Sequence, residues 1–332
     1  MGQGHGLTLV RALCALALLS ICICACEDNK GDGSRGGLPD ATTTTPDASD
    51  EGPGTRTPGT LRVATFNVRR YFDTVCQSQS CGSGAFEEVS SASAFATRTA
   101  QIAKGIEKLE ADVVALQEIE NQTCLDALTA KLKEDGHEFP VAVLGETGAA
   151  ASVDVAVLAR GTLGPVIKHR NDKITRPDGS TTSFTREFLE VHVAFGAGAE
   201  LVFFAAHFRS KVDDDPGRRL AEASAARDIV TKAQTDNPSA IVVLGGDLND
   251  TPGSDTLTTL EQGGSMVRLA ADLSAADQGT YTFNGAKTAI DHLYAPKPSS
   301  TKYVAASALV VRDDARGLGG SDHAALRADL GL

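Results

Sequence analysis

The pattern of apolar and polar positions from residue 61 to residue 132 predicts alternating strands and helices. Residues 61–68 alternate as a strand does. Apolar residues then recur at helical spacing up to position 109, just before the short apolar run 113–116. Leucines at 125, 128 and 132 indicate a second helix. This part of the chain is therefore predicted to be strand, helix, strand, helix.

The following region adds strands that succeed one another without an intervening helix. Strands are predicted over residues 152–159, 184–194 and 201–206, and a charged helix over residues 216–234 precedes the apolar run 241–244. A purely parallel doubly wound sheet needs a crossover between successive strands, so this order favours an α/β fold with mixed sheets covered by helices. Two strand-rich halves of similar size could stack as two sheets.

The N-terminal segment is predicted to be an export signal, residues 1–26. Arg11 precedes an apolar run that is too short to cross a bilayer. The run ends in Ile23-Cys24-Ala25-Cys26, which resembles the bacterial lipobox, so Cys26 is expected to carry a lipid anchor. The alternative is an ordinary signal peptide cleaved nearby. We therefore expect an exported protein, either a lipoprotein of the bacterial envelope (outer membrane or cell surface) or a secreted or periplasmic one.

Residues 27–60 are predicted to form a flexible linker, which leaves residues 61–332 as the folded domain. Apart from alanines, Leu38 is the single apolar side chain of this segment, which therefore cannot bury enough surface to offset its ordering entropy. In the whole chain, 42% hydrophobic and 22% charged residues exclude a fully disordered, collagen-like or polytopic membrane protein. The net charge of −12 gives no overall attraction for a polyanion, which would need local basic residues or bridging cations.

Three of the seven cysteines belong to the predicted domain: Cys76, Cys81 and Cys124. An exported protein can form disulfides, and Cys76 with Cys81, closing a short loop, is the expected pair. Three scattered cysteines without a spaced histidine do not predict a zinc site.

Polar side chains gather where the apolar runs end. Asn67, Glu118, His207 and the pair Asp247 and Asn249 each follow a predicted strand. Side chains at strand ends can converge at one edge of a sheet, where α/β proteins bind ligands. Carboxylate and amide oxygens suit Mg²⁺, Mn²⁺ or Ca²⁺. The motifs of kinases, dinucleotide-binding dehydrogenases, serine hydrolases and zinc proteases do not occur.

Six segments that contain these residues resemble motifs of the endonuclease/exonuclease/phosphatase superfamily, which includes deoxyribonuclease I. They occur in the family's order and together span the predicted domain. The second and third look most like those of secreted bacterial nucleases. In chain order the segments are Thr65-Phe66-Asn67-Val68-Arg69, Leu116-Gln117-Glu118-Ile119-Glu120-Asn121, His207-Phe208-Arg209-Ser210-Lys211, Gly246-Asp247-Leu248-Asn249-Asp250, Ile290-Asp291-His292-Leu293 and Ser321-Asp322-His323.

The resemblance implies a four-layer α/β/β/α sandwich of two mixed sheets flanked by helices, with a divalent metal as cofactor. The expected metal ligands are Glu118, Asn67 and Asp322. A single metal is favoured, because Arg69 stands where some members carry an acidic residue.

The resemblance also implies catalytic and substrate-binding roles. Asp247 would orient or deprotonate the attacking water, His323 polarised by Asp291 would stabilise developing charge or act as acid or base, and His207 would serve the phosphate or leaving group. Asn249, together with Asn67, would bind phosphate. Asp154 is a candidate partner for His207, and His292 is expected only to flank its strand.

Basic residues near the motifs could contact backbone phosphates and offset the overall negative charge. Arg209, two residues after His207, is the expected substrate-binding residue among them. The others are Arg69, Arg70, Arg186, Lys211, Arg218 and Arg219, and solvated helix or loop charges are the alternative for Arg218 and Arg219.

The expected function is metal-dependent hydrolysis of nucleic acid, DNA or RNA, by in-line attack of water on phosphorus. A phosphomonoesterase or a lipid phosphodiesterase of sphingomyelinase or inositol-phosphatase type is the alternative within the superfamily. A catalytically inert surface-binding lipoprotein is the alternative outside enzymes. The protein is expected to be a monomer, with the membrane contacted only through Cys26.

Overall fold

The computed structural model describes residues 58–82, 84–283 and 285–332. The predicted export signal and nearly all of the predicted linker lie outside these residues. In chain order the strands and α-helices are β1 (Thr60–Tyr71), α1 (Ala92–Leu109), β2 (Val113–Ile119), α2 (Gln122–Glu134), β3 (Val141–Gly145), β4 (Asp154–Ala159), β5 (Thr162–Lys168), β6 (Ile174–Thr175), β7 (Thr181–Thr182), β8 (Leu189–Ala194), β9 (Glu200–His207), α3 (Pro216–Asp236), β10 (Ile241–Asp247), α4 (Asp255–Leu260), β11 (Met266–Arg268), β12 (Tyr281–Phe283), β13 (Ala286–Thr288), β14 (Asp291–Pro296), α5 (Lys297–Ser300), β15 (Leu309–Val311) and β16 (Ala325–Gly331).

Two six-stranded sheets form the centre of the fold. The first has the order β15-β16-β1-β2-β4-β3, and the second has the order β11-β14-β10-β9-β8-β5. In each sheet one central pair is parallel, β1 with β2 and β9 with β10, while the remaining pairs are antiparallel. Both sheets are therefore mixed.

Three apolar layers hold the sheets and helices together. The layer between the sheets is formed by alternate residues of both, such as Val63, Val113, Val191 and Val243. Residues of α1 and α2 cover the outer face of the first sheet, and residues of α3 and α4 cover that of the second. Because successive strand residues point to opposite faces, strands buried on both sides are nearly continuous in apolar residues. The helix–sheet–sheet–helix order confirms the predicted four-layer sandwich.

The helix ends follow from local sequence. Ser91 caps α1, since its side chain accepts a hydrogen bond from the backbone N–H of Ala94, and Asp215 caps α3 by accepting from Arg218 just before Pro216. Thr99, Ile102 and Leu109 are among the buried residues of α1. No helix in the described part of the chain is both long and apolar enough to cross a membrane.

The structure corrects one predicted strand and confirms the predicted disulfide. The strand predicted over residues 184–194 is too long at its start, because the strand begins only at Leu189 and the preceding Phe184 and Phe188 pack in the outer layer beside α3. Cys76 and Cys81 form the expected disulfide, with 5.9 Å between their Cα atoms, and Cys124 is a buried free thiol.

Candidate active site

The carboxyl ends of the two parallel strand pairs meet at one edge of the sandwich. β1 carries Asn67 and β2 carries Glu118, while β9 and β10 end at His207 and Asp247. In the second sheet Asp247 lies level with His207 on one side and with Asp291, the first residue of β14, on the other. Parallel neighbours end at the same edge, so residues far apart in sequence are brought together.

Backbone irregularities aim the first-sheet residues at this edge. The β1–β2 register shifts between Asn67 and Tyr71, and the β2–β4 register shifts between Gln117 and Ile119. Glu118, in the second irregularity, has a left-handed backbone with φ of 68°. Such bulges redirect a side chain from the sheet face, and left-handed non-glycine residues cost free energy that surrounding structure must offset.

Asn67 joins the two sheets through its side chain. Its Nδ2 donates to Glu118 Oε1 at 3.2 Å and to Asp247 Oδ2 at 3.0 Å, and its Oδ1 accepts from the backbone N–H of Arg69 at 2.9 Å. The backbone N–H of Arg70 donates to Glu118 Oε2 at 2.8 Å. Asn67 and Asp247 are almost fully buried. One amide group therefore fixes the separation of two carboxylates.

His323 and Asp291 form a buried pair behind these carboxylates. His323 Nδ1 donates to Asp291 Oδ2 at 2.9 Å, leaving Nε2 as the second ring nitrogen. Burial alone would lower the pKa of His323, but the Asp291 carboxylate outweighs it and raises that pKa well above its ordinary value. Ser321 positions the histidine, since its hydroxyl donates to Asn67 O at 2.8 Å and accepts from the His323 backbone N–H at 3.0 Å.

Asp247 and His207 have environments that shift their proton affinity in opposite senses. Burial and the neighbouring Asp291 charge raise the pKa of Asp247. Burial, together with Arg186 and His323, lowers the pKa of His207 well below its ordinary value, so this ring is neutral. His207 Nε2 lies 3.6 Å from Asp247 Oδ2, and its Nδ1 is buried without a hydrogen-bond partner in the described chain.

Asp154 is not the partner of His207. Its Oδ2 accepts from the Ser152 hydroxyl at 2.8 Å and from the backbone N–H of Thr147 at 3.2 Å. The carboxylate next to His207 is instead Asp247. Asp154 begins β4 in the first sheet, whereas His207 ends β9 in the second, so the two side chains belong to different sheets.

The remaining predicted ligands lie around this centre. The backbone N–H of Asn249 donates to Asp247 Oδ1 at 2.9 Å, and its side-chain Nδ2 donates to Phe208 O at 3.1 Å. Asp322 Oδ2 lies 3.4 Å from Arg69 Nε. His292 is buried and donates from Nε2 to Asp250 O, consistent with the expectation that it only flanks its strand.

The basic residues near the motifs differ in whether their charge acts on the site carboxylates or is bound by other protein groups. The charge of Arg186 acts on both Glu118 and Asp247, and its guanidinium donates to Phe208 O. Arg209, in contrast, donates to Asp213 O. The other basic residues bind protein groups: Lys211 donates to Asp250, Arg218 donates to Ser183 O, and Arg219 donates to Asp214 and Asp250.

Sequence reasoning missed two residues that shape the site. The Tyr281 ring lies 4.8 Å from the His323 ring, centroid to centroid, and the two residues form a strand bridge. The Thr280 hydroxyl accepts from the backbone N–H of Asp291 at 3.1 Å. Both residues belong to the short β12–β13 hairpin region, whose strands have too few residues to show an alternation of apolar and polar positions in the sequence.

The donor set suits a hard divalent cation. Ligand atoms of Asp247, Asp291 and His323 lie within 4.8 Å of one another, and Glu118 adds a half-buried carboxylate at the same edge. Asp291 Oδ1 is buried without a hydrogen-bond partner in the described chain, which leaves an oxygen that a cation or water could satisfy. Carboxylate-rich sites of this kind favour Mg²⁺, Mn²⁺ or Ca²⁺ over softer metals.

Solved structures share this fold at low sequence identity. Truncated Caenorhabditis elegans TDP2 is 19% identical with a TM-score of 0.56, and the alignment covers 82% of this chain and 98% of that one. An endonuclease/exonuclease/phosphatase family protein from Bacteroides thetaiotaomicron is 15% identical with a TM-score of 0.58, covering 83% and 98%. D. rerio TDP2 complexed with a single-strand DNA product is 14% identical with a TM-score of 0.55, covering 82% and 99%.

The sequence comparison supplies the family. No curated protein sequence matches this chain. The model of the Endonuclease/Exonuclease/phosphatase family matches residues 62–313, which include every predicted site residue except Asp322 and His323. This match covers about three quarters of the 332 residues. The chain therefore belongs to the endonuclease/exonuclease/phosphatase family.

Proposed function

We propose that this protein is an exported, metal-dependent phosphodiesterase that hydrolyses nucleic acid. Members of its family are phosphoester hydrolases that typically use a divalent metal. The observation that carries the proposal is the single cluster in which Asn67 joins Glu118 to Asp247 beside the His323–Asp291 pair. The fold is shared with a TDP2 structure complexed with a single-strand DNA product, which supports nucleic acid as the substrate class.

The protein groups divide the work of in-line hydrolysis. Asp247, whose pKa is raised by burial and Asp291, accepts a proton from the attacking water. The water oxygen bonds to phosphorus while the bond from phosphorus to the leaving oxygen breaks, and the departing oxygen takes up a proton from water to leave as the alcohol. Protonated His323, through Nε2, stabilises the negative charge that develops on the phosphate, and Asn249 helps to hold a phosphate oxygen.

Glu118 and Asn67 would hold the metal, with the carboxylates of Asp247 and Asp291 within reach. Asp322, the third ligand expected from the sequence, is paired with Arg69, and His323 would not bind the metal while it is protonated. When bound, a divalent cation supplies positive charge that neutralises the phosphate and lets an acidic site accept an anion. Arg186 contributes a fixed positive charge to the same region, since it acts on both Glu118 and Asp247. Local charge thus compensates for the net charge of −12.

Export is supported by the N-terminal sequence and by the Cys76–Cys81 disulfide, which suits an oxidising compartment. We propose that Cys26 anchors the protein to the bacterial envelope and that the folded domain acts as a monomer.

The test is to incubate the purified chain with plasmid DNA, RNA and sphingomyelin, each with Mg²⁺ and with a chelator. Chelator-sensitive cleavage of DNA or RNA is expected. Asp247→Asn and His323→Gln should each lower that rate by about 100-fold or more, whereas His137→Gln, in the turn that follows α2, should leave it unchanged. Cleavage of sphingomyelin alone, binding without cleavage, or full activity of folded Asp247→Asn would refute the proposal.

A further inference from the structure

A concave region adjoins the active site between the end of β1 and the start of α1. This β1–α1 cavity has a volume of about 560 Å³. Three arginines and one acidic residue line it, together with hydroxyl-bearing residues: Arg69, Arg70, Arg98, Glu88, Ser93 and Thr97. In a chain of net charge −12, this is a local excess of positive charge. The size and charge suit an anion as large as a nucleotide.

Two of these arginines have no carboxylate partner in the described chain. Arg98 donates to the backbone oxygens of Val68 and Gly319, which uses two of its five N–H groups. Arg70 lies over the Phe86 ring, with Cζ 4.6 Å from the ring centroid. Burial, followed by the Arg69 charge, lowers the pKa of Arg98 to about 10, so it stays charged at neutral pH. Arg70 and Arg98 therefore bring positive charge to the cavity, which Glu88 in its lining and Asp322 beside Arg69 offset only in part.

Phe86 does not itself line the cavity, but it contacts two residues that do, Arg70 and Phe72, and so adds an aromatic surface beside it. Half of this residue is exposed, although its ring is fixed by Arg70 and by the edge of Phe72, whose centroid lies 5.8 Å away. The segment before it is also held in place, because the Glu87 carboxylate accepts from the backbone N–H groups of Gln77 and Ser78. A fixed, exposed ring beside cationic groups is the arrangement on which nucleic-acid bases stack.

The cavity is continuous with the catalytic residues. Arg69 lines the cavity and reaches Asp322, with Nε 3.4 Å from Oδ2. Gly320 also lines it and lies next to Ser321, whose hydroxyl donates to Asn67 O. A strand whose phosphate is bound near Asn67 would therefore continue into the cavity.

We infer that the β1–α1 cavity is a nucleotide subsite, in which the nucleotide next to the scissile bond places its phosphate between Arg70 and Arg98 and its base on Phe86. This inference rests on the proposed nuclease function and adds a binding position to it. Phosphate contacts by arginine strengthen binding and make it dependent on salt, whereas stacking is uncharged. The two halves of the subsite can therefore be tested separately.

The experiment measures steady-state kcat and KM of the full chain on a ten-residue single-stranded oligonucleotide over a range of salt concentrations. The sugar is that of whichever nucleic acid the chain cleaves. Arg70→Gln should raise KM about tenfold and reduce the slope of log KM against log salt by about 0.7, with a smaller change in kcat. Phe86→Ala should raise KM about tenfold through lost stacking and leave the salt slope unchanged.

Lys232→Gln is the matched control, because it removes one exposed positive charge from the distant end of α3 and should change neither constant. Circular dichroism and thermal unfolding confirm that each variant is folded. An unchanged KM in Arg70→Gln or Phe86→Ala, or a loss confined to kcat with the same salt slope, would overturn the subsite. Absence of cleavage by the unmodified chain would instead refute the proposed function.

Discussion

Replacing Asn67 by Ala removes a side chain of β1 that binds carboxylates of both sheets inside the active site. Two hydrogen bonds to carboxylates are lost, from Nδ2 to Glu118 Oε1 at 3.2 Å and to Asp247 Oδ2 at 3.0 Å, together with the one that Oδ1 accepts from the backbone N–H of Arg69 at 2.9 Å. A hydrogen bond to a charged group contributes about 1.5–3 kcal/mol, so the two together contribute at least about 3 kcal/mol. If that stabilisation is needed to hold the carboxylates for reaction, kcat/KM falls by at least about 100-fold.

The assay is the rate of plasmid cleavage at saturating Mg²⁺, with the free energy of unfolding measured in urea on the same preparations. Asn237→Ala is the matched control: it removes an amide that donates to Ala233 O at the end of α3, so only stability should fall. A folded Asn67→Ala protein with kcat/KM within tenfold of the unmodified chain would refute the reasoning, since the carboxylates would then hold their positions without the amide.

Two further predictions concern stability. Asp329→Asn removes the buried carboxylate that binds the Arg62 guanidinium at 2.6 and 3.0 Å, so that Arg62 keeps only the half-exposed Glu110 at 2.9 Å; it should lower the free energy of unfolding in urea by about 3 kcal/mol. The double change Arg62→Met with Asp329→Leu should recover most of this, and a double variant as unstable as the single one would contradict the argument. The second prediction concerns Glu190, which accepts from His169 at 2.9 Å and from His192 at 2.8 Å. Burial lowers the pKa of His169, but its hydrogen bonds to Glu190 and Asp172 outweigh this and raise that pKa above 6.5. The stability that protonated His169 contributes is therefore complete below pH 6.5 and is lost as pH rises through the raised pKa. Burial raises the pKa of Glu190, but the two histidines outweigh this and hold that pKa below 4.5. The stability that ionised Glu190 contributes is therefore complete above pH 4.5 and is lost as pH falls through the lowered pKa. Stability from this group should therefore be greatest between pH 4.5 and 6.5, and Glu190→Gln should flatten the profile in urea unfolding from pH 3 to 8; an unaltered profile would exclude the group as its origin.

The sequence predicted the central strands because their burial leaves a plain signal. Residues 241–244 are apolar without interruption, since β10 is covered on both faces. The peripheral strands carry no such signal. Every residue of β5 is exposed, and the segment contains Gly164 and Pro165, so neither alternation nor β-propensity identifies it.

From the sequence, the candidate site could be predicted as a set of residues but not as a set of contacts. Glu118, Asp247 and His323 belong to recognisable segments, and the structure brings them to one edge. Their contacts depend on register and backbone irregularity, which local sequence does not encode: the left-handed backbone at Glu118 lies at the shift in register between β2 and β4. Arg209 illustrates the limit, because its proximity to His207 in sequence did not reveal that its guanidinium binds Asp213 O.

The apolar layer between the sheets has a consequence for catalysis that reaches well beyond stability. Each sheet supplies half of the reacting groups, so a shift of one sheet over the other by a fraction of an ångström would misplace every group at once. Close packing of side chains such as Val113 and Val243 resists that sliding. Close packing in the interior thus fixes the relative positions of catalytic groups at the edge of the sheets. Enlarging or shortening a buried valine should therefore lower the catalytic rate before it unfolds the protein.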